Sequence, residues 1–263
     1  MMAEPTRRRG RPRSAPESPG TVQVLDRALE IMHLLAAHRG LTLSEIADQT
    51  GQPPSTVHRM LATLAAHEMA ERDEATQAWG IGPASFRLGT AFLQRAGIVE
   101  RATPILRALM RHTTETANLG IAGGEEALLV AQVESGQTIR ASFPPGARLP
   151  LHASGIGKAL LAFGQPDRLP APQTDRLTDN TLTTEQALRD DMARTRARGF
   201  SLDNEEQTRG LICIAAPVLD ATGAVIAAIG ISAPSQRVGH EHVKTLGAAV
   251  IAAASDLSRA MGG

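Results

Sequence analysis

Tyrosine is absent from this 263-residue chain, tryptophan occurs once and phenylalanine five times. Surfaces that bind sugars or stack bases draw much of their energy from aromatic faces, so the composition weighs against that class. Cysteine also occurs once, at Cys213, which rules out an intramolecular disulfide and suits a reducing cytoplasm. Long apolar runs are missing. The longest, "AVIAAIGI" and "GAAVIAAA", fall well short of the ~20 residues of a membrane span. The N-terminal "MMAEPTRRRGRPRS" has no apolar segment of the kind a signal peptide needs. Net charge is absent too, with 27 basic and 27 acidic residues. These absences predict a cytoplasmic protein without a membrane partner, long enough for one large core or two modest ones.

What the chain does have is an uneven distribution of charge. Residues 1–20 carry Arg7, Arg8, Arg9, Arg11 and Arg13 against only Glu4 and Glu17. A basic arm on a neutral body is the asymmetry expected of a DNA-binding tail, and its Pro, Gly, Ser and Arg content predicts disorder when free. Within it, "RGRPR" resembles an AT-hook, whose arginines (here Arg9 and Arg11) would enter a narrow minor groove. The bland alternative is a solvated basic tail.

From Thr21 the pattern becomes helical. Leu25, Ala28, Leu29, Met32 and Leu35 recur at three and four, predicting an amphipathic helix over 22–38 closed by Gly40. In "TLSEIADQTG", Thr42 with Glu45 predicts a capping box, Ile46 and Ala47 an inward face, and Gly51 the stop. A third helix starts at Pro54 or Ser55 and should bury Val57, Met60, Leu61 and Leu64. "AERDEATQAWGIG" then suits a two-stranded wing. Together these predict a winged helix-turn-helix. Ser55, Thr56, His58 and Arg59 lie near the start of its third helix, where recognition helices meet bases and phosphates. Arg59 is the candidate for a bidentate contact to guanine. The alternative is an exposed polar face on an ordinary helical bundle.

Pro83 opens another helical run, with breaks expected at Gly97 and Pro104. Phe86, Phe92 and Leu93 are too apolar for a solvated linker and suggest packing on a partner chain. From Asn118 the period shifts toward two. "NLGIAGGEEALLVAQVESGQTIRASF" reads as three strands, and "PPGARLP" as a loop leading into a helix. A second helix is expected from a Thr183 cap, paired with Gln186, to Gly199. Three strands follow, "FSLDNEE", "LICIAAPVLD" and "AVIAAIGISAP", then a helix from His240 to Met261. The expectation is an α+β chain. Its predicted parts are a basic arm (1–20), a winged helix-turn-helix (21–83), a linker helix (84–100) and a sensor-type domain (101–263).

"LHASGIGKALLAF" imitates a phosphate-binding loop, but the spacing fails. His152 stands where the first glycine belongs, and Ala159 follows Lys158 in place of a magnesium-binding hydroxyl. A helix start rich in small residues remains a good anion site. No catalytic set emerges. His240 and His242 lack further ligands at metal spacing, Cys213 lies in an apolar strand, and Ser232 is not in a nucleophile elbow. Neither cofactor nor metal is expected.

"STVHRMLATL", "LPLHASGIGKALLA", "RARGFSLDNEEQTRGLICIAAPV" and "AIGISAP" together resemble the IclR family of transcriptional regulators, from about Thr21 to Gly263. Within it the chain is most similar to the glyoxylate-responsive branch, including its "GG" terminus. The resemblance implies a GAF/profilin-like effector domain, binding to palindromic operators as a homodimer or dimer of dimers, and a small carboxylate effector. It also implies site residues. Gly155 and Ile156 match the backbone N–H pair that meets the carboxylate, and Asp203, Cys213 and Ser232 match pocket side chains. Gly230 replaces a second pocket serine, and Thr138 and Ala141 replace larger aliphatics. A carboxylate at the helix start gains ~0.3–2 kcal/mol from the dipole. Asp203 would accept from a hydrated carbonyl, which favours a small 2-oxo or 2-hydroxy acid such as glyoxylate. Two alternatives stay open at this point: an enzyme acting on a small carboxylate through Cys213 or Asp203, and a constitutive DNA-binding protein.

Overall fold

A computed structural model describes residues 22–138, 143–164 and 175–263. The predicted arm, with Arg9 and Arg11, and Ala141 lie outside them. The chain divides into two compact units, Met1–Ala91 and Phe92–Gly263.

In the first unit, α1 (Gln23–Ala37), α2 (Leu43–Thr50) and α3 (Pro54–Ala66) are followed by a hairpin of β1 (Ala70–Arg72) and β2 (Trp79–Ile81). The Thr42–Glu45 capping box forms as predicted, and Gly51 ends α2 at φ +63°, in the left-handed region that favours glycine. Ile31, Leu35, Ile46, Val57, Leu61 and Trp79 make the core. Trp79 also bridges to Leu41, which ties the wing to the α1–α2 connection. One expectation for α1 fails. Ile31, Met32 and Leu35 face inward, but Leu25 and Leu29 are 59% and 50% exposed. The apolar stripe therefore outruns the core that this unit supplies. His38, two residues before Gly40, caps the helix.

The helix α4 (Pro83–Ala96) ends at Gly97, at φ +58°, and α5 (Ile98–Thr113) follows. Pro104 was expected to break this run but sits inside α5. A proline there removes one hydrogen bond. The buried stripe of Ile98, Ala102, Leu106 and Leu109 holds the helix across that gap.

The second unit is built on an antiparallel six-stranded sheet. Its strands are β3 (Thr116–Gly123), β4 (Glu126–Val133), β5 (Arg148–Pro150), β6 (Ser201–Asn204), β7 (Leu211–Leu219) and β8 (Val225–Pro234), in the order β5-β4-β3-β8-β7-β6. β5 falls within the expected loop "PPGARLP", where Leu149 pairs with Ala127. The third strand expected after "ESGQ" runs into residues outside those described. α5 and α8 (His240–Ala260) cover one face, while α6 (Gly155–Gly164) and α7 (Glu185–Arg198) lie on the other. Thr184, not Thr183, caps α7, its side chain accepting from Ala187 N. That choice places Leu188 and Met192 in the interior.

The two faces differ in side-chain size, and this positions the site. Toward α5 and α8 the strands present Ile212, Ile214, Val218, Ile229, Ile231 and Leu119. Toward α6 the register aligns Thr116, Ser232, Cys213 and Asp203 in one row and Asn118, Gly230, Ala215 and Ser201 in the next. Small residues there let a helix start approach the backbone closely.

Candidate functional site

Three glycines seat the start of α6. A Cβ on Gly155 would lie 3.0 Å from Cys213 Cβ and 3.1 Å from its carbonyl oxygen. One on Gly120 would stand 2.6 Å from Ile156 Cγ2, and one on Gly157 2.6 Å from Pro150 O. Ser154 caps the helix, its Oγ accepting from Gly157 N at 2.9 Å while donating to Pro150 O at 2.7 Å. Lys158 N reaches Ser154 O. Of the helix-start N–H groups, those of Gly155 and Ile156 have no protein partner among the described residues.

Next to them lies a cavity of about 20 Å³, lined by Asn118, Phe143, Gly155, Ile156, Cys213 and Ser232 among others. About 10–15 Å³ on this measure admits one water, so the pocket is nearly closed. Of the residues that the resemblance implied, Gly155, Ile156, Cys213 and Ser232 come together here. Asp203 does not line the cavity; it sits one strand further out, paired with Cys213. Gly230 lines it, and Thr138 does not and is exposed.

A hydrogen-bonded chain crosses the sheet beneath the cavity. Gln132 Nε2 donates to Asn118 Oδ1 at 2.8 Å, and Asn118 Nδ2 donates to Ser232 Oγ at 2.9 Å. Ser232 Oγ lies 3.1 Å from Cys213 Sγ. Burial, with the Asp203 carboxyl alongside, pushes the Cys213 thiol up from its ordinary value. That is opposite to what activates a nucleophile. Asp203 Oδ1 accepts from Glu206 N at 2.7 Å and Gln207 N at 3.3 Å, while Oδ2 is buried without a partner. Burial and the neighbouring Glu206 raise its pKa to about 7.

Lys158 is not part of the anion site. Its buried Nζ donates to Leu202 O and to Glu206 Oε1 at 2.7 Å, and lies 2.9 Å from Asp191 Oδ2. Two hydrogen bonds and the Asp191 ion pair commit the ammonium to these neighbours rather than to a ligand.

In the first unit, Ser55, His58 and Arg59 are exposed and Thr56 is half-buried, while Val57, Met60 and Leu61 on the other side of α3 are core. On the wing, the Arg72 guanidinium lies 5.9 Å from the centre of the Trp79 ring.

Two family models match. The IclR helix-turn-helix domain covers residues 24–74, and the bacterial transcriptional regulator IclR C-terminal domain covers 90–259. The chain belongs to the IclR family. It is a DNA-binding transcriptional regulator with a C-terminal effector domain. It is 50% identical to the HTH-type transcriptional regulator BhcR of Paracoccus denitrificans, over 99% of this chain and 96% of that one. Against the transcriptional repressor IclR of Escherichia coli the identity is 37%, over 100% and 99%. The crystal structure of Thermotoga maritima IclR is similar with a TM-score of 0.75 at 25% identity, covering 92% of this chain and 100% of that one. No helix among the described residues of this IclR-family chain is long and apolar enough to cross a membrane.

Sequence reasoning missed several residues that shape the pocket of this regulator. Ser154 three residues before Gly157 was a legible cap signal. Asn118 and Gln132 become visible as site residues only once the register of β3 against β4 and β8 is known.

Proposed function

We propose that this IclR-family regulator reads a palindromic operator as a homodimer or dimer of dimers, and that a small 2-oxo or 2-hydroxy acid, glyoxylate foremost, sets its operator affinity. The acid's carboxylate docks on the N–H groups of Gly155 and Ile156, with Cys213 and Ser232 supplying polar side chains and Asp203 acting from behind Cys213 on the next strand. The observation that carries this reading is that pair of unpartnered N–H groups at a capped helix start, facing a cavity.

On DNA, Ser55, Thr56, His58 and Arg59 approach base edges and phosphates, and Arg9 and Arg11 enter the adjacent minor groove. The parts are the arm over 1–20, the winged helix-turn-helix over 21–83, the linker helix over 84–100 and the effector domain over 101–263. Val22, Val24, Leu25 and Leu29 on and just before α1, with Phe86 and Leu88 on α4, are exposed apolar residues that a second copy would cover.

A nearly closed pocket fits a regulator. An acid of several heavy atoms needs more room than about 20 Å³, so its entry would have to shift the pocket wall and couple binding to a change of conformation. Differential affinity is what allows a ligand to shift an equilibrium at a second site. The test is calorimetry of the protein with a panel of two- to four-carbon acids. Heat with glyoxylate or pyruvate supports the reading. Heat only with a bulkier acid, such as an aromatic carboxylate, removes the small-acid assignment and leaves the regulator standing.

A further inference from the structure

The charge around the pocket does not balance for an anionic ligand. From β6, Asp203 looks onto Glu206 in the β6–β7 turn and Cys213 of β7, while β8 offers only the uncharged Ser232. From α6 comes Lys158, and from α7 Asp191 with Arg194 and Arg198 behind it. In the turn before α6, the His152 ring is turned to Asp175 O. Arg194 is 60% exposed and screened by water, so two well-placed cations, Lys158 and Arg198, face three carboxylates, Asp191, Glu206 and Asp203. Lys158 is committed to two hydrogen bonds and to the Asp191 ion pair. A ligand carboxylate at Gly155 and Ile156 would add a fourth negative group against the same two cations.

All three carboxylates keep one buried oxygen without a hydrogen bond, but Asp191 and Glu206 are ion-paired to Lys158, and among the described residues Asp203 has no cation in contact. Its Oδ1 accepts from two backbone N–H groups, and its Oδ2 is buried with no formed hydrogen bond, the protonated Cys213 thiol lying alongside the carboxyl. A proton on Oδ2 would cancel the surplus charge one strand away from the pocket wall, without any direct contact to the ligand. We infer that binding of the acid takes up one proton at Asp203, so that the pocket receives the anion and the proton together and loses affinity as the solution turns alkaline. The inference rests on the small-acid reading above and adds its regulation by pH.

With the free carboxyl near 7 and the bound one higher, linkage fixes the sign. Below about pH 6 the proton is already present and affinity is flat. Above 7 it must be taken from solution, and affinity falls about tenfold per pH unit until the bound carboxyl also titrates.

The test is calorimetry of the full-length protein with glyoxylate and with pyruvate at pH 6 and pH 8, in phosphate and in Tris, whose ionisation heats differ. The expected result is near-zero proton uptake at pH 6 and close to one proton per acid at pH 8. Asp203→Asn, a neutral isostere, should bind with no uptake and the same affinity at both pH values. Wild-type heats independent of buffer, or a variant that keeps the pH dependence, overturn the inference while binding itself survives. If the variant binds neither acid, the infrared difference between bound and free wild type at pH 8 decides: a new protonated-carboxyl band supports the inference, and its absence overturns it. If neither acid binds wild type or variant at any pH, the small-acid reading fails and takes the inference with it.

Discussion

Gly230 and Asp203 show how differently single residues read in sequence and in space. The absence of a side chain at Gly230 looks like a missing hydroxyl, and restoring serine looks like a simple gain. The structure corrects this, because a Cβ there would stand 2.4 Å from Ile214 O and 2.8 Å from Ala215 Cβ. Gly230→Ser should therefore destabilise the protein by ~1–3 kcal/mol through overpacking, read as a fall in the urea midpoint. The family resemblance implied Asp203 as a pocket acid, but the structure sets it one strand behind the cavity, and its cost was not legible, since burial and the facing Glu206 are tertiary facts. Its folded pKa of about 7 lies above the ordinary 3.8, so the folded state holds a proton that the unfolded state has lost. The Asp203 contribution to stability therefore falls as pH rises from about 4 to 7, then levels off. Asp203→Asn removes that loss. At pH 8 the variant should be more stable by up to a few kcal/mol, at ~1.4 kcal/mol per pKa unit, and at pH 4 equal to wild type in the same urea titration. On α3, exposed Arg59 makes a separate prediction. Arg59→Ala should cost ~1–3 kcal/mol on a specific operator and little on scrambled DNA. Equal losses on both would make it a phosphate contact.

Among the elements, α2 was legible because cap, glycine stop and apolar spacing agree within a few residues, α3 by the proline at its start and its apolar spacing, and the wing by its short polar turn between β-capable ends. α1 and α4 were legible as helices but not by face. Half of the α1 stripe and most of the large apolar residues described on α4 point away from any core of this chain. That pattern is local, while the surface that would cover it in the proposed homodimer belongs to another copy. Phe86, 78% exposed, gives the sharpest test. Phe86→Glu should leave the fold unchanged by circular dichroism but shift sedimentation toward monomer and weaken operator binding. An unaltered sedimentation profile would remove α4 from the interface. For α6, sequence marks an anion-competent start but not the sheet row it rests on. Gly155→Ala would press a methyl against Cys213, forcing the helix start to shift by a few tenths of an ångström. It should abolish acid binding in calorimetry with little change in thermal stability.

At the scale of the whole molecule, the order of parts and the α+β class follow from charge asymmetry and from the change of period near Asn118. The sheet order β5-β4-β3-β8-β7-β6 does not, because pairing β3 with β8 joins residues more than a hundred positions apart. That pairing also builds the pocket, by bringing Asn118 to Ser232. In the proposed reading, the regulatory behaviour reduces to one coupling free energy between the pocket and α3, of the ~1–3 kcal/mol usual for allosteric pairs. It is measured by the anisotropy of a labelled operator, selected from random DNA, titrated with full-length protein with and without saturating glyoxylate. The wild-type midpoint should move by about 5–150-fold while that of Gly155→Ala stays in place. An equal shift in both proteins would contradict the claim that the start of α6 is where the acid acts.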